Sequence, residues 1–176
     1  YQPNAGNERK LTQPDPYSGF MMGFNPCRPT STGWVNIASP DPEVAPRMSG
    51  DYLSTQKDLD DVVAMARLLG RIQDTKCLSS LLLEPPQLDL STMTDADIIR
   101  DFHQRATTVY HPCGTRRMGP TPDRAVVDAK LRVHGIEALR VVDASAFPNI
   151  TSANTNAPTL MVAHRAAQMI LAPADR

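Results

Sequence analysis

The stretch TVYHPCGTRRMGP, residues 108–120, sets one histidine, one cysteine, two arginines and two glycines into thirteen positions. Four chemistries are open to such a segment: a phosphate loop, a metal site, a nucleophilic thiol, or an acid–base histidine. Each of them requires further residues elsewhere, so the surrounding chain arbitrates.

A phosphate cradle needs closely spaced glycines that bare consecutive backbone N–H groups. Neither GxxxxGK[ST] nor GxGxxG occurs anywhere in the 176 residues. A metal site needs clustered ligands, but His103, His111, His134 and His164 form no HxH or HxxxH pair, and no CxxC is present. No metal is expected. Cys113 lies two residues from His111 and on a strand would share its face, which permits a thiol–imidazole pair. No oxyanion element accompanies it, however. Cys27, Cys77 and Cys113 are odd in number and widely spaced, and they read as mostly buried, reduced thiols. His111 as an acid–base group remains, although a lone histidine is more often structural than catalytic.

Composition narrows the partners. Lys and Arg number 18 against 19 Asp and Glu, with no block of like charge. That argues against the concentrated basic face used by nucleic-acid and anionic-membrane binders. One Trp, four Tyr and four Phe are too few for a base-stacking platform. No apolar run approaches the ~20 residues of a membrane span. The polar start, YQPNAGNERKLTQPDPYSG, has no apolar core of a signal peptide. It begins without methionine, so a processed chain or part of a longer one is expected. The compartment stays open, with a soluble, cytoplasmic setting as the expectation.

Local patterning divides the chain near residue 105. Residues 19–25 and 33–38 read as short strands joined by a Pro/Ser/Thr/Gly turn. Residues 53–75 read as a helix capped by Ser54, with Leu59, Val62, Val63, Met65, Ala66, Leu69 and Ile72 on one face. Residues 77–92 read as a loop with apolar patches, and 91–106 as a second helix capped by Thr94. Short strands are expected around a turn at Gly135, ending in LRVVD at 139–143. A last helix over 158–172 would hold Pro158 in its first turn and face inward with Leu160, Met161, Ala163, Ala167, Met169 and Ile170. These strands are too few to close a sheet, so the second half is expected to complete one whose other strands lie outside this chain.

Three segments then add up. VYHPCGTRRMG (109–119), AVVDAKLRVHGIEALRVVDAS (125–145) and NTNAPT (154–159) resemble, in order and spacing, the carboxy-terminal portion of the glucose–methanol–choline (GMC) family of flavin-dependent oxidoreductases. The shared patterns are HPxGTxxMG, D-x-x-L-R-V-x-G-x-x-x-L-R-V-x-D-[AG]-S and N-T-N-x-P-T. RPTSTGWVNIASPDPEVAPRMSGDYLS (28–54) resembles the family more loosely, with Asp51 where Asn is usual.

The resemblance implies an α/β fold with α+β character. Residues 1–105 would be part of a substrate-binding domain, a sheet with helices. Residues 106–176 would complete the FAD-binding domain and the active site. It implies FAD as cofactor and, as partner, an amino-terminal FAD-binding portion that carries the missing GxGxxG, so the isolated chain is not expected to hold FAD well. His111 matches the family's active-site histidine and Asn154 its second catalytic position. Asp143 and Ala144 match the segment near the ribityl–phosphate portion, and Asn156, Ala157, Pro158 and Thr159 the turn and helix start beside the isoalloxazine. Cys113 stands where many relatives carry valine and is expected to pack.

The implied reaction is oxidation of a small alcohol to an aldehyde or ketone, by an alcohol oxidase or a dehydrogenase like choline dehydrogenase. Imidazoles, with an ordinary pKa of ~6.5, accept a hydroxyl proton near neutral pH. An amide such as Asn154 can hold the substrate oxygen without competing for that proton. The same scaffold also carries cyanohydrin lyases and a light-driven fatty-acid decarboxylase, so fold alone does not choose the reaction. A non-catalytic binding domain is the remaining alternative.

Overall fold

The computed structural model describes residues 19–172, and the start of the chain, residues 1–18, lies outside the described residues. The elements in chain order are β1 (Trp34–Asn36), β2 (Arg47–Ser49), α1 (Gln56–Gln73), α2 (Lys76–Ser79), α3 (Asp95–Arg105), a 3-10 turn at Ala144–Ala146, and α4 (Asn156–Leu171). Helices mixed with one small sheet agree with the expected fold class. The chain divides into two compact units, residues 1–26 with 55–107, and residues 27–54 with 108–176. The hairpin region 27–54 thus groups with the carboxy-terminal segment.

In the first unit, α1 follows its apolar spacing. Val62 and Ala66 are fully buried, and Leu59, Val63, Met65 and Leu69 are half-buried. Ile72, expected inside, is exposed near the helix end. Thr55 rather than Ser54 occupies the cap position, with extended backbone and no side-chain cap bond. At α3 the expected cap is present. The Thr94 hydroxyl accepts from the Asp97 N–H at 3.2 Å and donates to its carboxylate at 2.6 Å. Asp95 and Asp97 in that first turn face the positive end of the helix dipole.

Helix α1 packs on α3, which buries Ile98. Arg67 of α1 secures the connection that leads into α3. Its guanidinium donates to the Leu90 carbonyl at 2.7 Å, the Met93 carbonyl at 2.8 Å and the Asp95 carboxylate at 2.7 Å. The connection also contains the short helix α2, where a loop was expected. Residues 19–25 do not form the expected strand. Phe24 instead stacks its ring on Phe102 of α3, with centroids 5.6 Å apart, so this segment packs by side chain rather than by a backbone ladder.

In the second unit β1 pairs antiparallel with β2, Trp34 opposite Ser49 and Val35 opposite Met48. The expected strand 33–38 is therefore present in shortened form, with a different partner. Between 125 and 145 the expected strands shrink to isolated bridges, Val127 with Val133 and Arg132 with Arg140. The backbone turns too often for a ladder to extend. Leu131, Gly135 and Ala138 all take positive φ, at 63°, 75° and 58°, and the Asp128 carboxylate gathers the N–H groups of Lys130 and Arg132.

Val127, Leu131, Ala146 and Ala166 form the core of this unit, with Met118, Val133, Val141, Val142 and Val162 packed against it. Helix α4 starts at Asn156, two residues before the expected start, and Pro158 does lie in its first turn. Its inward face is Thr159, Val162, Ala163, Ala166 and Met169. Leu160, Met161, Ala167 and Ile170, expected inside, are exposed. The helix is apolar on most sides, so periodicity did not select the buried stripe; contact with the Val127 core does.

Candidate active site

The expected catalytic and cofactor residues, His111, Asp143, Ala144, Asn154, Asn156, Ala157, Pro158 and Thr159, all fall in the second unit. Tyr110 precedes His111 with φ of 60°, in the left-handed region, and its N–H donates to the Thr108 hydroxyl at 3.0 Å. Gly114 follows with φ of 85°. Glycine takes this region freely, but a tyrosine held there beside the imidazole is the kind of backbone strain found at functional sites. Beyond the turn, Arg116 N–H donates to the Ser145 carbonyl at 3.0 Å and Met118 N–H to the Ala146 carbonyl at 2.8 Å. The histidine loop is thereby tied to the 3-10 turn that follows Asp143.

The half-buried His111 ring meets the start of α4. Its Nδ1 lies 3.0 Å from the hydroxyl oxygen of Thr155. Among the described residues Nε2 makes no hydrogen bond, which leaves it able to exchange a proton. Asn154, exposed, is the chain neighbour of Thr155. No hydrogen bond joins the His111 and Asn154 side chains among the described residues, but the Thr155 contact draws their segments together. The loop carrying Asn154 is pinned by Arg28 Nε, which donates to the Ser152 hydroxyl at 2.8 Å, and by Thr151, whose hydroxyl donates to the Ala153 carbonyl at 2.9 Å.

Asp143 accepts the Ser145 N–H at 2.8 Å. The Ser145 hydroxyl and N–H hold its carboxyl below the usual range, slight burial opposes them, and the charge of Arg116 helps them. The same hydroxyl is buried and has no partner in hydrogen-bond geometry. An ionised carboxylate, with acceptor capacity beyond the Ser145 N–H, fits a hydroxyl-rich ligand. At the start of α4, no hydrogen bond engages the backbone N–H of Asn156 or Ala157 among the described residues, Pro158 has no N–H, and no acidic side chain occupies the first turn. The positive end of the helix dipole is therefore open to an electron-rich edge.

The other histidines and the cysteines have structural surroundings. His134 Nε2 pairs with the Gly119 carbonyl at 3.0 Å. Cys113 and Cys27 are half-buried, whereas Cys77, expected to be buried, is exposed. Burial pushes the Cys113 thiol up, with Arg117 opposing it, as suits a packing residue rather than a nucleophile.

Sequence reasoning missed Thr155. Its only signal was position: a threonine directly before a helix whose third residue, Pro158, lacks the N–H that a capping hydroxyl normally serves.

With this geometry in place, the GMC oxidoreductase family model matches residues 29–163. The chain belongs to the GMC oxidoreductase family. It is 40% identical over 87% of its length to the oxygen-dependent choline dehydrogenase of Vibrio vulnificus, and 35% identical over 89% to an alcohol dehydrogenase [acceptor] of Pseudomonas putida. A solved FAD-dependent oxidoreductase from Chaetomium thermophilum superposes on 82% of the chain, with a TM-score of 0.76 and 27% identity. This GMC chain spans only about a quarter of each, 28%, 28% and 25% respectively. The expected family and fold class are confirmed. No helix among the described residues is long and apolar enough to cross a membrane.

The family departure at Asp51 has a local explanation. Its φ is 42°, a conformation Asn and Asp tolerate better than most residues, and its carboxylate accepts the Ser49 hydroxyl at 2.5 Å.

Proposed function

We propose that this chain is the carboxy-terminal part of a flavin-dependent enzyme that oxidises an alcohol to an aldehyde or ketone. His111 accepts the hydroxyl proton and Asn154 holds the substrate oxygen. The observation that carries this reading is the half-buried His111 ring, bonded through Nδ1 to Thr155 at 3.0 Å and open at Nε2. The names of the curated relatives, choline dehydrogenase and alcohol dehydrogenase [acceptor], support a CH–OH donor.

FAD, when bound, supplies the hydride acceptor. Asp143 and Ala144 would hold its ribityl–phosphate portion, where the carboxylate suits a run of hydroxyls. Asn156, Ala157, Pro158 and Thr159 would border the isoalloxazine, the two unengaged N–H groups favouring negative charge there. On this reading the remaining flavin contacts come from an amino-terminal portion carrying GxGxxG, consistent with the quarter of the relatives' length that this chain spans.

Within the chain the division of labour follows from chemistry. The imidazole takes the hydroxyl proton at Nε2, which leaves an alkoxide-like oxygen whose carbon more readily releases hydride. The neutral Asn154 amide donates to that oxygen in both states and so orients the carbon without removing the driving force.

Anaerobic bleaching of the flavin in the full-length enzyme by a panel of alcohols, choline included, tests the reaction class; no bleaching by any of them overturns it. Replacing His111 with Ala tests the site. Turnover should fall by about 100-fold or more, and unchanged turnover refutes the assignment.

A further inference from the structure

We propose that Thr155 is a positioning residue for His111: its hydroxyl accepts the Nδ1 proton and so keeps Nε2 in the form that takes the substrate proton. The proposal rests on the reading of His111 as the proton acceptor.

Three observations carry it. First, the Thr155 residue is only 7% exposed and its hydroxyl lies 3.0 Å from Nδ1, although 44 positions separate the two residues. Second, Thr155 directly precedes α4 with helical backbone, φ −76° and ψ −7°, so it is not in the extended conformation of a capping residue and makes no cap bond. The hydroxyl meets the imidazole. Third, Thr155 is itself fixed. Its carbonyl accepts the Thr159 N–H at 3.0 Å and the Thr159 hydroxyl at 2.6 Å, so the hydroxyl that meets His111 is anchored to the first turn of a four-turn helix.

The choice of a hydroxyl has chemical consequences. When Nδ1–H donates to Thr155 Oγ1, Nε2 carries the lone pair and is the proton acceptor. After Nε2 takes a proton, Nδ1–H still donates to the same oxygen. The bond therefore survives the change of protonation state, and the ring need not rotate between the two halves of the reaction. No carboxylate pairs with His111 among the described residues, so the ring is oriented without a fixed negative charge beside it. Losing Oγ1 would let the neutral ring choose its other tautomer, in which Nε2 holds a hydrogen and cannot act as base.

The test compares Thr155→Val, Thr155→Ser and His111→Ala in the full-length flavoenzyme. Thr155→Val should lower kcat about tenfold while changing KM by less than about threefold, because proton acceptance rather than binding is impaired. Thr155→Ser, which restores the hydroxyl, should recover most of that loss. Nitrogen-15 NMR of labelled histidine, with the His111 resonance assigned by its absence in His111→Ala, should show the Nδ1–H tautomer in the unmodified enzyme and a shift toward Nε2–H in Thr155→Val.

Full kcat in Thr155→Val, no rescue by Thr155→Ser, or an Nε2–H tautomer in the unmodified enzyme each overturns the proposal. The last readout needs no Thr155 variant, only the unmodified enzyme and His111→Ala for the assignment. If His111→Ala itself keeps full turnover, the proton-acceptor reading fails first. If His111→Ala is inactive while Thr155→Val is unimpaired, only the Thr155 assignment fails.

Discussion

Gly114→Ala isolates how the backbone of the histidine loop is held. Gly114 has φ of 85°, and a Cβ built there would lie 3.5 Å from the Phe147 carbonyl oxygen, an ordinary contact. Collision therefore contributes little. The cost is the left-handed backbone, about 1–2 kcal/mol for an L-residue. A stiffer unfolded chain offsets roughly 0.4–1 kcal/mol of it. The net is about 1 kcal/mol, or roughly fivefold in a local opening equilibrium. That opening is legible at two amides, because Arg116 and Met118 donate to Ser145 and Ala146 just beyond the turn. Hydrogen exchange of those amides in the full-length enzyme should accelerate about fivefold in Gly114→Ala. Gly135→Ala is the matched control, with φ of 75° and nothing within 4 Å of its Cβ. It carries the same backbone penalty, felt at Val133 and His134 rather than at Arg116 and Met118. Unchanged exchange at Arg116 and Met118 in Gly114→Ala, or equal acceleration there from Gly135→Ala, would refute the reasoning.

Val127 is fully buried at the centre of the second unit, so Val127→Ala should cost about 2 kcal/mol and lower the Tm of the full-length enzyme. Arg67→Ala removes the donor shared by Leu90, Met93 and Asp95; the connection there should loosen by about 2 kcal/mol, read as faster limited proteolysis between residues 88 and 95. Arg67→Lys should restore only part of it, since an ammonium lacks the guanidinium fork. Asp143 has its carboxyl held down, chiefly by Ser145. Its stabilising contribution is then complete above the ordinary carboxylate pKa of ~3.9 and disappears as pH falls through the lower folded value. The Tm difference between the unmodified enzyme and Asp143→Ala should be constant near neutrality and close up in acid; a difference that persists at low pH contradicts this.

The local elements were legible where one short-range signal sufficed. Thr94 before an acidic turn marked the start of α3, the three-and-four spacing of Leu59, Val62, Val63 and Ala66 marked α1, and Pro158 marked the first turn of α4. The signals failed where the decision lay elsewhere in the chain. Residues 19–25 are a short, largely apolar run followed by turn residues, as a strand would be, but a strand needs a neighbour, and Phe24 found the ring of Phe102 instead. LRVVD has strand composition, but positive φ at Leu131, Gly135 and Ala138 bends its would-be partners away.

By itself the sequence determined the family and most helix positions, because motif order and helical spacing are properties of the covalent chain. Tertiary structure decided which face of α4 is buried, since Leu160, Met161, Val162 and Ala166 are all apolar and only the Val127 core distinguishes them. It decided that residues 27–54 belong with 108–176, a grouping that includes the bond from Arg28 to Ser152, 124 positions away. It also assigned the hydroxyl of Thr155 to His111 rather than to the helix it precedes. Each of these outcomes depends on contacts between residues far apart in sequence, and those contacts exist only once the chain has closed on itself.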